Sequence, residues 1–503
     1  MSNQRRAGAV LSYLNIILKN VINFLYVPLL LRLVGQADYG LFQMTNSVTS
    51  SLTILSMGLS SAYVKFYIEY KTKNNEEEIR NLNGLYLVLF ILIGIISLII
   101  GLVLVLNISS LFGSSLSPRE LELTKKLMII LVLNIAITFP SSVFDSNIVV
   151  NQHFVFQQTR MIFQTVLVPV LSVALMYLGF GILSIGLTQL FITSVYLIIN
   201  IKYCRKQLNM KFTFKNFKIV VLKQLLAFSF FILLNQIVDM INNNAPNFII
   251  GMVMGARDVA TFAIALQIKN MFFMLSTSLS SVFVPQVNEL VSSNKPTEIL
   301  TDLMIRVGRI QMTILFFILG GFVILGRFFI SIWAGNENIV AYSLIIMMVL
   351  PSIIPLSQNI GIEIQRAQNK HIFRSISYSI FAVFNIGITY FGAKYFGLEG
   401  ASFGYIFSVL FANGFLMNWY YHAKLSLNMK KFWRNSLPVV IPFFVATGIG
   451  LLIQKYIPVQ GYLQFFIQGL LYVLIFYIIY VKWIATNYEK KQINIMKRIG
   501  RRG

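Results

Sequence analysis

The first helical hairpin of the chain, residues 14–64, reads LNIILKNVINFLYVPLLLRLVGQADYGLFQMTNSVTSSLTILSMGLSSAYV. A shift of 220 positions aligns it without a gap on residues 234–284, and 13 of the 51 aligned residues are identical. Self-similarity at a fixed offset is the signature of an internal repeat. The matched pairs include Asn15 and Asn235, Asn23 and Asn243, Gly35 and Gly255, and Asp38 and Asp258. The hairpin therefore begins each of two related halves of the chain.

The composition indicates an integral membrane protein. Hydrophobic residues make up 57% of the 503 residues and charged residues only 12%, and the mean hydropathy is +0.74. The net charge of +24 is typical of nucleic-acid-binding proteins. However, Lys and Arg cluster in alternate loops, which is the pattern that orients inserted helices, so we predict no nucleic-acid partner. The single cysteine excludes an internal disulfide, and the three separated histidines predict neither a metal site nor a cofactor.

The apolar segments predict an all-α polytopic membrane protein with fourteen transmembrane helices. About 20 consecutive apolar residues are enough to cross a bilayer as a helix, which satisfies its own backbone in hydrocarbon. The predicted helices lie near 10–32, 39–63, 83–107, 126–150, 159–178, 182–202, 226–252, 258–285, 308–333, 340–364, 372–393, 398–421, 437–457 and 462–485.

The repeat groups these helices into two lobes of six, followed by two more helices. An even number of crossings returns the chain to the same side of the membrane, so the two copies are parallel. The predicted domains are an N-lobe at 1–203, an amphipathic cytoplasmic linker at 204–225, a C-lobe at 226–422, helices 13 and 14 at 423–486, and a basic cytoplasmic tail at 487–503. The excess of Lys and Arg in inner loops places both termini in the cytoplasm. No cleavable signal peptide is expected before the first helix.

Charged residues interrupt the apolar helices at two equivalent positions of the repeat. Lys19 in the first copy corresponds to Asp239 in the second, and each has an asparagine four residues before and four after it. Lys269 in helix 8 and Glu363 in helix 10 are further charges of this kind. A charge within a membrane helix is costly and by default indicates a function. We interpret these residues as the lining of a water-filled cavity between the lobes.

The roles expected of these residues follow from their charges. Lys19 and Lys269 would bind an anionic headgroup, while Asp239 and Glu363 would act as counter-ions or coupling sites. The flanking asparagines could bind sugar hydroxyls, but they could equally join helices. These asparagines are Asn15, Asn23, Asn235 and Asn243. Two further interpretations stay open: Lys19 could simply pair with Asp239, and Glu363 could extend to the inner surface.

Parts of the repeated hairpin resemble a known family. The segments VPLLLRLVG at 27–35 and DYGLF at 38–42 are similar to the outer end of helix 1 and the start of helix 2 in polysaccharide-transport proteins. The segment SMGLSSA at 56–62 is similar to the inner end of their helix 2. These proteins are the O-antigen and capsule flippases of the multidrug/oligosaccharidyl-lipid/polysaccharide (MOP) exporter superfamily. The similarity covers nearly the whole chain in helix number and lobe duplication.

The resemblance implies a V-shaped, MATE-like transporter that alternates between inward- and outward-open states. Its cargo would be an undecaprenyl-pyrophosphate-linked oligosaccharide, moved across the bacterial cytoplasmic membrane from the inner to the outer leaflet. Family cavities carry basic residues for the pyrophosphate, and Lys19 and Lys269 match these by position. The empty carrier must be returned by an energy source, with Asp239 as a candidate site for H⁺ or Na⁺ coupling. Removal of the cargo outside, for example by a polysaccharide polymerase as partner, would serve instead.

Two other functions remain open on the sequence. A MATE-type drug/cation antiporter of the same superfamily would have a more acidic cavity and usually twelve helices. A membrane polymerase or ligase of the same pathway would require a large outer loop or an acidic catalytic cluster, and the sequence has neither. We therefore predict a transporter and not an enzyme. The sugar repeat, and the choice between O-antigen, capsule and another polymer, stay open.

Overall fold

The computed structural model describes residues 2–56, 58–214, 233, 236–238, 240–370 and 372–491, and these residues form helices without a β-strand. Contacts divide the chain into two compact units, Met1–Ala263 and Ile264–Gly503. The first helices are α1 (Ser2–Ser51), α2 (Leu59–Thr72), α3 (Glu76–Leu106), α4 (Ile108–Phe112), α5 (Pro118–Val150), α6 (Phe154–Leu175), α7 (Leu183–Lys206), α8 (Ala245–Val253) and α9 (Ala256–Ser281). The others are α10 (Val284–Ser292), α11 (Thr297–Trp333), α12 (Ala341–Ser357), α13 (Asn359–Ala367), α14 (Ile372–Gly400), α15 (Phe403–Ser408), α16 (Asn418–Lys424), α17 (Met429–Ser436), α18 (Val440–Tyr456) and α19 (Tyr462–Ile479). The domain boundaries proposed from the sequence stay a prediction.

Helix α1 is a hairpin of two helices. Its 50 residues would extend about 75 Å as one straight helix, whereas the hydrocarbon of a bilayer is about 30 Å thick. Gly35 makes the corner with φ 83° and ψ 168°, a conformation that glycine adopts because it has no Cβ. Its counterpart in the repeat, Gly255, has φ 107° and lies between α8 and α9. The matched glycines of the repeat therefore form corresponding turns.

These two turns pack against each other within the first unit. A Cβ added to Gly40 would lie 1.8 Å from the carbonyl oxygen of Ala256, so the two backbones approach too closely for any side chain. Beside this contact, Gln36 donates a hydrogen bond from Nε2 to Oγ1 of Thr261 at 3.1 Å. The beginning of the second repeat copy is therefore fixed to the first copy.

Ten helices among the described residues are long and apolar enough to cross a membrane, or eleven when the bent pair α12 and α13 counts as one span. One of the ten stretches, Arg6–Thr72, contains the predicted helices 1 and 2 together. Predicted helix 12 is divided between α15, a π-helical segment and α16. Predicted helix 7 lies partly outside the described residues. The all-α polytopic fold is confirmed, and the number fourteen stays a prediction.

The π-helical segment, Val409–Met417, joins α15 to α16. Such segments are rare, because the i→i+5 hydrogen bond is less favourable than the α-helical one. The next residue, Asn418, donates hydrogen bonds from Nδ2 to the carbonyl oxygens of Asn413 and Gly414, both at 2.9 Å. Trp433 of α17 donates from Nε1 to Oδ1 of Asn418 at 2.7 Å. A single asparagine therefore secures the end of the π segment and joins it to α17.

An apolar cluster holds the short helices of the second unit together. Val287 of α10, Met304 of α11, Ile364 of α13, Tyr421 of α16 and Phe432 of α17 belong to it, and none is more than 2% exposed. The cluster therefore joins α10, α11, α13, α16 and α17.

Candidate functional site

Lys269 is a buried cation on α9. Only 2% of its surface is exposed, and its Nζ lies 4.4 Å from the ring centroid of Tyr405 and 5.8 Å from that of Phe273. A cation over aromatic faces gains about 0.5–2 kcal/mol, which offsets only part of the cost of burying the charge. No carboxylate of the described residues forms a salt bridge with it. Lys269 is therefore a buried lysine whose ammonium group lies against aromatic rings and not against a carboxylate of the described residues.

The ring of Tyr405 is fixed by a hydrogen bond to α12. Its hydroxyl lies 2.7 Å from Oγ of Ser352, which is itself fully buried. Ser352 donates its own proton to the carbonyl oxygen of Met348 at 2.6 Å, so the Tyr405 hydroxyl is the donor in this pair. The sequence analysis missed both residues. One tyrosine and one serine in apolar helices carry no signal that separates them from ordinary core residues.

Further along α9, a polar network joins four helices. Oγ of Ser276 accepts a hydrogen bond from Nδ2 of Asn359 at 3.0 Å and donates to the carbonyl oxygen of Leu356 at 2.7 Å. Gln311 of α11 donates to the carbonyl oxygen of Ser276 at 2.9 Å. This network lies where α12 bends by 42° into α13, next to Gln358. Here the buried amide side chains join helices, as such groups commonly do in membrane proteins.

The structure places the evenly spaced polar residues of the first helix, Asn15, Lys19 and Asn23, in different environments. Asn15 is buried, and its Oδ1 accepts a hydrogen bond from Oγ1 of Thr165 on α6 at 3.0 Å. Tyr26 also contacts α6, with its hydroxyl 2.5 Å from Oγ of Ser172. Lys19 and Asn23 lie on an exposed face of the helix. Asn15 therefore joins α1 to α6, while Lys19 and Asn23 stay accessible in this structure.

The equivalent residues of the second repeat copy, Asn235, Asp239 and Asn243, are described only in part. Asn235 and Asp239 lie outside the described residues, and so does the pairing of Lys19 with Asp239 that the sequence left open. Asn243 is helical and exposed. The roles proposed for these residues therefore remain those derived from the sequence.

Glu363 forms a local ion pair. Its Oε1 lies 2.9 Å from Nη1 of Arg366, and the side chains are 19% and 62% exposed. Such exposed i,i+3 pairs commonly serve as surface charges.

A second ion pair lies in the first unit. Nη1 of Arg160 on α6 is 2.5 Å from Oδ1 of Asp145 on α5, and these side chains are 11% and 32% exposed. Nδ2 of Asn200 donates to the same carboxylate oxygen at 3.1 Å. The sequence analysis did not identify Arg160. The signal was present, because a cation at the start of an apolar helix is rare enough to require a partner.

The chemistry available to these residues is ion and headgroup binding. No group of three or more His, Cys, Asp or Glu side chains that could hold a metal ion occurs in the described part of the chain. Lys269 supplies a buried positive charge between aromatic rings. A buried cation of this kind is chemically suited to bind an anion.

The fold is similar to several solved membrane transporters. The lipid II flippase MurJ in an inward closed conformation matches with a TM-score of 0.71 at 16% identity, over 95% of this chain and 99% of that chain. An inward-facing multidrug resistance MATE family transporter of the MOP superfamily matches with a TM-score of 0.63 at 16% identity, over 82% and 95%. The MATE transporter DinF-BH in complex with R6G gives 0.59 at 14%, over 84% and 96%. The fold thus defines the class: a multi-pass membrane protein with the helical architecture of MurJ and the MATE transporters.

The family is shown by the sequence. A family model described as polysaccharide biosynthesis protein matches residues 29–343, which is more than half of the chain. The chain belongs to this family of polysaccharide biosynthesis proteins. This family agrees with the resemblance to polysaccharide-transport proteins first noted in the hairpin. A search of curated proteins found no match.

Proposed function

We propose that this protein is a flippase that moves an undecaprenyl-pyrophosphate-linked oligosaccharide from the inner to the outer leaflet of the bacterial cytoplasmic membrane. Membership of a polysaccharide biosynthesis family supports a sugar cargo. The fold shared with a protein named as a lipid II flippase supports a lipid-linked one. The product would serve a surface polysaccharide such as O-antigen or capsule.

The observation that carries this proposal is the buried charge of Lys269. A pyrophosphate cannot cross hydrocarbon unaided, because burying an unpaired charge costs many kcal/mol. A cation already held in the protein replaces part of the lost hydration, while the prenyl chain stays in lipid. Lys269 meets this requirement. It is 2% exposed, and its Nζ lies against the rings of Tyr405 and Phe273.

The remaining parts of the mechanism are proposed from the sequence. Transport would proceed by alternating access, with both termini in the cytoplasm. Lys19 would be a second cation for the cargo, and the repeated asparagines would contact its sugars. Asp239 is the candidate for H⁺ or Na⁺ coupling. A polymerase that consumes the cargo outside would be a functional partner.

A second candidate function, drug/cation antiport, is favoured by one observation. Two of the similar structures are MATE multidrug transporters, with TM-scores of 0.63 and 0.59. An exporter of cations would be expected to place acidic groups where its cargo binds, because opposite charges attract. The isolated positive charge of Lys269 argues for an anionic cargo instead.

The test is flipping of a fluorescent polyprenyl-pyrophosphate oligosaccharide in proteoliposomes. We expect the wild type to flip it, Lys269→Met to lose most of the rate, and Lys269→Arg to retain part of it. The matched control is Lys126→Met, because Lys126 is 57% exposed and pairs only with Glu122 on its own helix. This control should flip at the wild-type rate.

Three results would separate the hypotheses. If Lys269→Met folds and flips normally, the function stands but the site assignment is wrong. If the wild type flips no lipid and instead exchanges an organic cation for protons or Na⁺, the antiporter is correct. If Lys19→Ala also slows flipping, the second cation proposed from the sequence gains its first support.

A further inference from the structure

A crevice of about 860 Å³ opens in the first unit, and Lys269 is not among the residues that line it. Its volume falls in the range of roughly 300–1,000 Å³ that is typical of small-molecule sites. The crevice lies between α3, α5, α7 and the extended residues 210–214. Three cations line it: Arg80 near the start of α3, Arg205 in the last turn of α7, and Lys211. The helix ends that meet here are those expected at the cytoplasmic surface.

The crevice changes from charged to apolar along the helices. Leu87 and Ile91 lie 7 and 11 residues beyond Arg80, or about 10 and 16 Å further along α3 at 1.5 Å per residue. Leu197 lies 8 residues before Arg205 on α7, at a distance of about 12 Å. The cations therefore lie at the level of lipid headgroups, and the apolar wall continues to the depth of the acyl chains.

The segment that carries Lys211 is fixed against α3. Thr213 donates its backbone N–H to the carbonyl oxygen of Arg80 at 3.0 Å, and Asn83 donates from Nδ2 to the carbonyl oxygen of Lys211 at 2.9 Å. A Cβ added to Gly84 would lie 2.0 Å from the carbonyl oxygen of Thr213, so glycine is required for this approach. Lys211 is thus held beside Arg80 by the fold itself.

The charges at this rim are not balanced. Arg80 pairs with Glu76 at 3.0 Å, but the Glu76 side chain is 81% exposed, and exposed pairs of this kind contribute little and exchange readily. Arg205 and Lys211 have no salt bridge among the described residues. The described lining of the crevice therefore contains three cations and no carboxylate, and the acidic residues nearest to it in sequence, Glu76, Glu77 and Glu78, lie in the first turn of α3.

We propose that this crevice binds one acidic phospholipid of the surrounding bilayer, with its phosphate among Arg80, Arg205 and Lys211 and its acyl chains along Leu87, Ile91 and Leu197. Basic pockets between transmembrane helices on the cytoplasmic side are suited to anionic lipid headgroups. The apolar wall distinguishes the site from one for a free anion, and the net positive charge distinguishes it from one for a zwitterionic lipid. This lipid site is separate from the cargo site and does not depend on the proposed transport.

The experiment is native mass spectrometry of the full chain in detergent, titrated with phosphatidylglycerol or with phosphatidylcholine of the same acyl chains. We expect one phosphatidylglycerol to be retained at concentrations where phosphatidylcholine is not. In the triple variant Arg80→Gln, Arg205→Gln, Lys211→Gln, its affinity should fall about tenfold or more. The matched control removes three exposed cations of the second unit, as Lys295→Gln, Lys430→Gln and Arg434→Gln, and should bind as the wild type does.

A second variant, Ile201→Trp, fills the crevice without changing any charge and should also lose the bound lipid. Size-exclusion chromatography and thermal unfolding establish that each variant is folded. Equal retention of both lipids, or retention of phosphatidylglycerol by Ile201→Trp, would overturn the proposal. It would equally fail if inorganic phosphate displaced the lipid at millimolar concentration, which indicates an anion site. Displacement by an equimolar polyprenyl pyrophosphate would assign the crevice to the cargo.

Discussion

The guanidinium of Arg309 and the carboxylate of Glu489, 180 residues apart in the chain, are joined by two hydrogen bonds of 2.7 and 3.0 Å. Both residues are at least 94% buried. Arg309 also donates to the carbonyl oxygens of Asn435 and Ile484. Through one side chain, α11 is therefore joined to the end of α17, just before α18, and to the segment that follows α19. The last two membrane helices are fixed to the rest of the second unit at this point.

Replacing Glu489 with glutamine should destabilise the protein. Removing one partner of a buried ion pair leaves the other charge uncompensated, at a cost of about 3–5 kcal/mol. We expect a clear fall in the Tm of the purified protein at pH 7. The control Glu298→Gln changes an exposed carboxylate near the start of α11 and should leave the Tm unchanged. An unchanged Tm in Glu489→Gln would mean that the pair contributes nothing.

The same pair predicts a dependence of stability on pH. Burial raises the pKa of Glu489, but the hydrogen bonds from Arg309 and Thr486 outweigh it and hold the pKa below its usual range. A group with a depressed pKa stabilises the fold above its unfolded pKa, which is about 4.3 for glutamate. The difference in Tm between the wild type and Glu489→Gln should therefore be constant near neutral pH. It should shrink only as the pH falls below about 4.

A methyl group on Gly40 should disturb the contact between the two glycine turns. The Cβ of Gly40→Ala would lie 1.8 Å from the backbone oxygen of Ala256, so one of the two helices must move. Overpacking of this kind costs about 1–3 kcal/mol, which should appear as a lower Tm. Gly387→Ala is the matched control, because its Cβ would meet no atom within 4 Å. Equal effects of the two substitutions would contradict the close approach.

Tyr405 offers a test of how Lys269 keeps its charge. Tyr405→Phe retains the ring over Nζ and loses only the hydrogen bond to Ser352, so most of the flipping should remain. Tyr405→Leu removes the ring and with it about 2 kcal/mol of cation–π stabilisation at a desolvated site. Its flipping rate should fall well below that of Tyr405→Phe in the same proteoliposomes. Equal rates for the two variants would show that the aromatic face is irrelevant to transport.

Glu363→Gln should have little effect on transport. The ion pair of Glu363 with the exposed Arg366 contributes at most about 1 kcal/mol, so both the Tm and the flipping rate should stay close to wild type. Loss of flipping in a folded Glu363→Gln variant would instead support the coupling role first considered from the sequence.

The sequence predicted the helical fold because the length of an apolar segment is a local property. It located Lys269 because a charge in an apolar helix is conspicuous. It did not predict Tyr405 as the partner of Lys269, or Glu489 as that of Arg309. These residues are brought together by packing between distant helices, and each alone is unremarkable. Helical periodicity placed Asn15 and Lys19 on one stripe, but it could not show that Asn15 turns towards Thr165 while Lys19 stays exposed.

The π-helical segment that ends at Met417 changes the register of the helix that follows it. An α-helix turns about 100° per residue. A π-helical turn contains an additional residue, so every later side chain is rotated about the helix axis as it would be after an insertion. Deleting one residue within Val409–Met417 should restore α-helical register and rotate Asn418 away from Trp433 by about 100°. In relatives whose helix lacks this additional residue, a different contact would have to replace the hydrogen bond between Trp433 and residue 418. The length of this helix and the identity of residue 418 should therefore have changed together.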